Sequence, residues 1–285
     1  MLQILLTFAI KLVLFKYVLF HMKNKTQIIN NLKIAYLDNE VNSNIAIVFI
    51  HGNSQSSKSY AYQLKDDLLN NFRLIALDLP GHGDSDSATN YTLPLFTNTV
   101  VGFCDSLKLK NFVIVGHSLG GHFTIQSLPK LKNCIGVFII GASPLNIPLI
   151  IEDAYLPSEL MALLFKKELT KTEINQFATS ITTNTVLIEN DIKNTDAKFR
   201  EHLAVSIGNG EMHNEVDILK NATVPIAMVF GINDSLVNTN YVANLTIPML
   251  WNAQLIFIEN ALHCPQLDSP KELNAILIDF IESIK

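Results

Sequence analysis

The sequence has no run of lysine or arginine, and its 21 basic residues are outnumbered by 26 acidic ones. Without a basic stripe there is no electrostatic footprint for nucleic acid. The net charge of −5 points to a neutral rather than a polyanionic substrate. Cysteine is scarce: Cys104, Cys134 and Cys264 are far apart and form no C-x-x-C pair. That excludes a cysteine zinc site and a disulfide framework. Free thiols fit a reducing compartment, so a cytoplasmic protein is expected. No internal repeat or low-complexity tract is present, which excludes solenoid arrays. Charged residues make up 16% of the chain and hydrophobic ones 48%, the balance of a folded globular protein. At 285 residues the chain is long enough to bury a substantial core, as one large domain or two small ones.

The N-terminus lacks the features of a secretory signal. Residues 1–21 read MLQILLTFAIKLVLFKYVLFH, with no basic start and no small-residue cleavage site. Lys11 and Lys16 interrupt the apolar stretch, and lysines near the centre of a spanning helix are costly. Three readings stand open: a membrane anchor, an amphipathic surface helix, or an artefact of the start site. Residues 1–25 are therefore set apart as an apolar N-terminal extension, through which membrane association is one expectation.

Further along, short runs rich in Val, Ile and Phe alternate with stretches of helical length. Ile45–Ile50, Leu74–Leu77, Phe112–Val115, Val137–Ile140, Ile226–Phe230 and Leu255–Ile258 read as buried strands. Ser59–Asn70, Thr92–Leu107 and Gly120–Leu131 read as the helices between them, and Ile28–Tyr36 as an antiparallel edge pair. Such alternation predicts an α/β fold: a mostly parallel central sheet flanked by helices. The rhythm fails between about Pro144 and Glu215, where Ser158–Lys166, Lys171–Ser180 and Asp196–Ile207 look helical. That stretch is too long for a loop. The expectation is a helical cap over residues 143–215, inserted after the sixth strand into a core made of 26–142 and 216–285.

Gly116-His117-Ser118-Leu119-Gly120 matches G-x-S-x-G directly after one of these strands and before a helical stretch. The turn is so tight that its neighbours must be small, and it presents the serine hydroxyl at the carboxyl end of the sheet. The helix that follows aims its free N–H groups at the same point. Serine needs a base and an orienting acid, in the chain order serine, acid, histidine. Of the eight histidines, His263 follows the last strand and its loop. His82, His117 and His122 are assigned local roles only. Asp234 lies just beyond Ile226–Phe230, whereas the alternative position, Gly141-Ala142-Ser143-Pro144, holds no carboxylate. Asp268 falls too early in the final helix to orient His263. The backbone N–H groups of Leu119 and Asn53 are the candidate oxyanion donors, and the Asn53 amide is a further donor toward substrate. Asp78-Leu79-Pro80-Gly81-His82-Gly83-Asp84-Ser85 reads as a turn that holds loops together.

HGNS, DLPGHGDS, GHSLGG, GIND and the late His263 together resemble the α/β-hydrolase superfamily over nearly all of residues 26–285. More narrowly, HGNSQSS, LDLPGHGDS, GHSLGGH, a GNG before the last strands and VPIAMVFGIND are similar to the α/β-hydrolase-fold N-acyl-homoserine lactonases. The resemblance implies the α/β-hydrolase fold with its cap, Ser118 as nucleophile, and no metal or cofactor. It implies a small-molecule ester or lactone substrate, its apolar acyl group held in the cap. A cap tyrosine that helps to hold substrate in those lactonases falls near Phe177, which is the candidate substrate-binding residue. Two further departures are His117, where the lactonases carry tryptophan, and Ser235, where they carry a second acid. A general carboxylesterase or thioesterase, and a slow ligand-binding protein on the same fold, stand as alternatives.

Overall fold

The computed structural model describes residues 22–285. Among the described residues the chain forms one sheet of eight strands in the order β1-β2-β4-β3-β5-β6-β7-β8. The strands are β1 Lys23–Ile29, β2 Leu32–Asp38, β3 Ala46–Ile50, β4 Arg73–Leu77, β5 Phe112–His117, β6 Cys134–Ile140, β7 Ile226–Gly231 and β8 Ile256–Ile258. β1 and β2 form an antiparallel pair, and β2 runs antiparallel to β4. Every pairing from β4 to β8 is parallel. All six strands read from the apolar runs are present within a few residues of their expected ends. The edge pair is longer than expected and opens at Lys23.

Period-2 side-chain alternation explains why the central strands are apolar throughout. Val48, Ile50, Ile75, Leu77, Ile114 and Ile139 enter one buried layer with α1 (Leu93–Ser106) and α2 (Leu119–Ser127). Ile47, Phe49, Leu74, Ala76, Val113 and Phe138 enter the other, under the C-terminal helix at Pro270–Ser283. Thr92 caps α1 by accepting from Leu95 N–H at 3.2 Å. Phe96 of α1 stacks on Phe123 of α2 at 4.6 Å between ring centres, locking the two helices on one face.

The expected helix over Ser59–Asn70 is replaced by two 3-10 turns, Ser57–Tyr60 and Asp67–Leu69. Buried side-chain bonds override its helical pattern. Tyr60 donates to Ile50 O, and Gln63 donates to both Gln266 O and Asn274 Oδ1. Asp66 then caps the second turn by accepting from Leu68 N–H.

Between β6 and β7 the chain is helical: α3 Ile151–Ala154, α4 Leu160–Phe165, α5 Lys171–Ile181, α6 Thr185–Asn194, α7 Lys198–Gly208 and α8 Glu215–Lys220. Three of these match the helices read from the sequence, while α3, α6 and α8 have no counterpart among them. α5 starts on a capping box between Thr170 and Glu173. Two short helices, α9 Thr239–Ala243 and α10 Pro265–Asp268, precede α11, the C-terminal helix Pro270–Ser283. Among the described residues no helix is long and apolar enough to cross a membrane. Residues 1–21, on which the membrane reading rests, lie outside the described residues.

Candidate active site

β5 ends at His117 and α2 begins at Leu119, so Ser118 alone makes the turn. Its backbone sits at φ +51 and ψ −120, a strained conformation for a residue with a side chain. Backbone bonds hold it there: its N–H donates to Ile140 O at 2.8 Å, and its carbonyl accepts from Gly121 N–H at 2.8 Å and His122 N–H at 3.2 Å. A Cβ at Gly120 would lie 2.3 Å from Ile50 O and 2.4 Å from His51 O. The start of α2 is thus pressed against the end of β3, which only glycine permits. β3 and β5 are parallel neighbours with Ile50 opposite Gly116, so their following loops leave the sheet side by side. This adjacency brings Asn53 and Leu119 to the same end of the sheet as Ser118.

His263 is buried in the loop after β8. Its Nδ1 lies 2.8 Å from Asp234 Oδ2, across 29 residues of sequence. The other carboxylate oxygen of Asp234 accepts from Leu236 N–H at 2.8 Å and Val237 N–H at 3.3 Å. Burial alone would raise the Asp234 carboxyl. The facing His263, through charge and hydrogen bond, and the two N–H groups bring it below the usual carboxylate range. His263 Nε2 is buried with no hydrogen-bond partner, and it is not bonded to Ser118 in this structure. Gly141, just after β6, has little room for a side chain. A Cβ at Gly141, whose φ is +59, would lie 3.0 Å from His263 O and 3.2 Å from its ring.

Several side chains do more than their local sequence suggests. His117 Nε2 bonds His263 O at 2.9 Å, so the residue before the serine holds the backbone of the histidine loop. Burial, with a further push from the neighbouring His263, takes the His117 ring down to about 3, which favours its neutral form. Asp268 does not touch the His263 ring. Instead it accepts from Leu262 N–H at 3.0 Å and from both Thr182 and Thr183, tying the loop to the end of α5. His122, one turn into α2, pairs with the fully buried Glu215 at 2.8 Å and with Tyr155 at 2.5 Å. His82 bonds Pro80 O and packs on Phe199.

The DLPGHGDS segment acts as a staple. Asp78 accepts from Ser57 N–H at 2.7 Å and Asp84 N–H at 2.9 Å, and Ser85 bridges Asp78 O to Ala35 N–H. Asn53 is committed to its surroundings: its amide donates to Leu164 O at 3.0 Å and accepts from Ser54 Oγ at 2.7 Å. One N–H of the amide expected to face substrate is therefore taken by the helical segment. Phe177 is fully buried in a cluster with Leu160, Leu163, Ile181, Leu236, Cys264 and Leu267. It thus packs where α4 and α5 meet the loops that carry Asp234 and His263.

A buried acid lies in the same region. Asp191 of α6 accepts from Ser56 Oγ at 2.7 Å. Burial pushes its carboxyl up to about 7, against the pull of Ser56 and Lys58 and with a further push from Asp78. A carboxyl held protonated above its unfolded value near 4 stabilises the fold fully at low pH, and this stability is lost as pH rises from about 4 to 7. Asp191→Asn keeps an oxygen for Ser56 and never ionises. It is expected to melt about 5 °C above the wild type at pH 8 and with it at pH 4; equal shifts at both pH values would contradict this.

Comparison with known proteins bears on the whole arrangement. The model of the alpha/beta hydrolase family matches residues 47–276. The chain belongs to this family. It is an enzyme of the α/β-hydrolase superfamily by both sequence and architecture. Among solved α/β hydrolases, a mutant of the N-acyl homoserine lactonase AidH complexed with N-hexanoyl homoserine lactone superimposes with a TM-score of 0.88. It is 26% identical, over 92% of this chain and 98% of that one. A putative aryl esterase from Burkholderia cenocepacia matches at a TM-score of 0.77 and 21% identity, covering 92% and 99%, which shows the shared fold. A non-heme chloroperoxidase from Streptomyces lividans is 24% identical over 88% of this chain and 96% of its own length. The α/β hydrolases similar to this chain thus include lactonase, esterase and haloperoxidase.

Proposed function

We propose that this α/β hydrolase cleaves a carboxylic ester or lactone through an acyl-serine intermediate. Ser118 is the nucleophile, His263 the general base and Asp234 the acid that orients it. The observation that carries this reading is the state of His263. Its Nδ1 is held by Asp234 at 2.8 Å while its Nε2 is buried and unpartnered, at the sheet end where Ser118 is strained outward.

An ionised Asp234 keeps the proton of neutral His263 on Nδ1, which leaves the Nε2 lone pair free. His263 Nε2 removes the proton of Ser118 Oγ as Oγ bonds to the substrate carbonyl carbon. The carbonyl electron pair moves to oxygen, and the N–H groups of Leu119 and Asn53 stabilise the resulting anion. Collapse of this intermediate breaks the bond to the leaving oxygen, which takes the proton from His263. In a lactone that alkoxide remains part of the acyl group. Water, deprotonated by His263, then attacks the acyl-serine carbonyl; the C–Oγ bond breaks, Ser118 Oγ takes the proton back from His263, and the acid leaves. The helical segment between β6 and β7 serves as the cap, with Phe177 and its apolar neighbours forming part of the wall around the acyl chain.

An N-acyl homoserine lactone is the substrate class favoured by the 26% identity to AidH across nearly its whole length. A panel of N-acyl homoserine lactones and short nitrophenyl esters, followed by acid release, separates the readings. Higher kcat/KM for the lactones is expected. Turnover of esters or thioesters with no lactone opening would move the assignment to a general esterase or thioesterase.

A further inference from the structure

Three residues of the loop after β3 reach away from the sheet and into the helical segment. Asn53 donates to Leu164 O at the end of α4. Ser54 accepts from Arg200 of α7 at 2.8 Å, and Ser56 donates to Asp191 of α6 at 2.7 Å. Ser54 sits at φ +54, in the left-handed region that costs a residue with a side chain. It therefore needs outside support to stay there.

Arg200 supplies that support in an unusual way. The residue is 3% exposed, yet among the described residues none of its partners is a carboxylate. Nε donates to Lys166 O at 2.6 Å, Nη2 to Lys167 O at 2.7 Å and Nη1 to Ser54 Oγ at 2.8 Å. Burying a cation against neutral acceptors alone is costly, and the rigid guanidinium fork is what lets one side chain hold three acceptors. Ser54 Oγ passes the restraint on by donating to Asn53 Oδ1 at 2.7 Å. Both ends of the Asn53 amide are then fixed, one through Arg200 and one through Leu164.

Resting on the serine-hydrolase reading above, we propose that Arg200 is a positioning residue. Acting through Ser54, it aims the Asn53 N–H at the oxyanion. The oxyanion loop is thereby set from the helical segment as well as from the sheet end, where Gln55 accepts from Gly52 N–H at 3.3 Å and Asp78 from Ser57 N–H at 2.7 Å, and docking that segment completes the catalytic geometry. The donor acts on charge that develops during the reaction, so its misplacement lowers kcat and leaves KM nearly unchanged.

Ser54→Ala cuts the link while Arg200 keeps Lys166 O and Lys167 O. It is expected to lower kcat about tenfold with KM within about twofold. Hydrogen exchange in peptides spanning 52–56 speeds up and exchange over 160–167 stays at the wild-type rate, while the melting temperature falls by no more than about 5 °C, the cost of one unpaired guanidinium N–H. Arg200→Lys keeps the charge but loses the fork, and lowers kcat at least as far. The double variant loses little more than Arg200→Lys alone, because both changes break one chain of contacts. Wild-type kcat and unchanged exchange at 52–56 in Ser54→Ala would overturn the proposal, as would additive losses in the double variant. A wild-type protein that turns over no ester, thioester or lactone and takes no fluorophosphonate would instead sink the serine reading. In that case exchange at 52–56 still decides the clamp, faster in Ser54→Ala if it exists and unchanged if it does not.

Discussion

Ser118→Ala is expected to lower kcat for the best ester or lactone substrate by on the order of a millionfold, with the melting temperature unchanged or slightly raised. The two halves of this expectation have separate causes. The rate falls because no other side chain can form the acyl intermediate once Oγ is gone, leaving only whatever the oxyanion donors offer to a direct attack by water. Stability holds because the Ser118 hydroxyl makes no cap bond to α2. The contacts that enforce its backbone, Ser118 N–H to Ile140 O and Gly121 N–H to Ser118 O, belong to the main chain and survive the change. A variant that loses activity together with its fold would mean that Ser118 had been chosen for structure.

Asp234→Asn is expected to cost about ten-thousandfold in kcat near pH 7, and the geometry says why. Leu236 and Val237 both donate to Oδ1. An asparagine therefore keeps its oxygen on that side and turns its NH2 toward His263 Nδ1. Nδ1 must then accept, which places the ring proton on Nε2, where Ser118 needs a lone pair. The histidine stays in place in the wrong tautomer. The measurement is single-turnover acylation at pH 7 against wild type. A loss below about tenfold would mean that another group orients His263, against the single acid contact seen at its Nδ1.

The core and the proposed triad were legible in the sequence because their signals are local. The apolar runs at Ile45–Ile50 and Phe112–Val115 lie in the middle of the sheet, where both faces are covered. Ser118 was legible because its turn demands glycines at fixed spacing. Asp234 and His263 were legible because the chain order of this topology leaves few positions at strand ends. What holds these residues was not legible. His117 supports His263 O from 146 positions away, and Arg200 reaches Ser54 across the same separation. No periodicity marks such pairs. The helical pattern at Ser59–Asn70 misled for a related reason, since buried Tyr60 and Gln63 bond to Ile50, Gln266 and Asn274 instead of joining a helix. α6 was missed because only Ile188, Asp191 and Ile192 of its residues are buried, and one of the three is a carboxylate.

On this mechanism Ser118 is an activated nucleophile. Incubating the purified protein with a fluorophosphonate probe, then mapping the adduct by mass spectrometry, tests it most directly. Stoichiometric labelling on Ser118 is expected, slowed severely by Asp234→Asn and absent in Ser118→Ala. An unlabelled wild-type protein that nevertheless turns over substrate, or an adduct on any other residue, would contradict it.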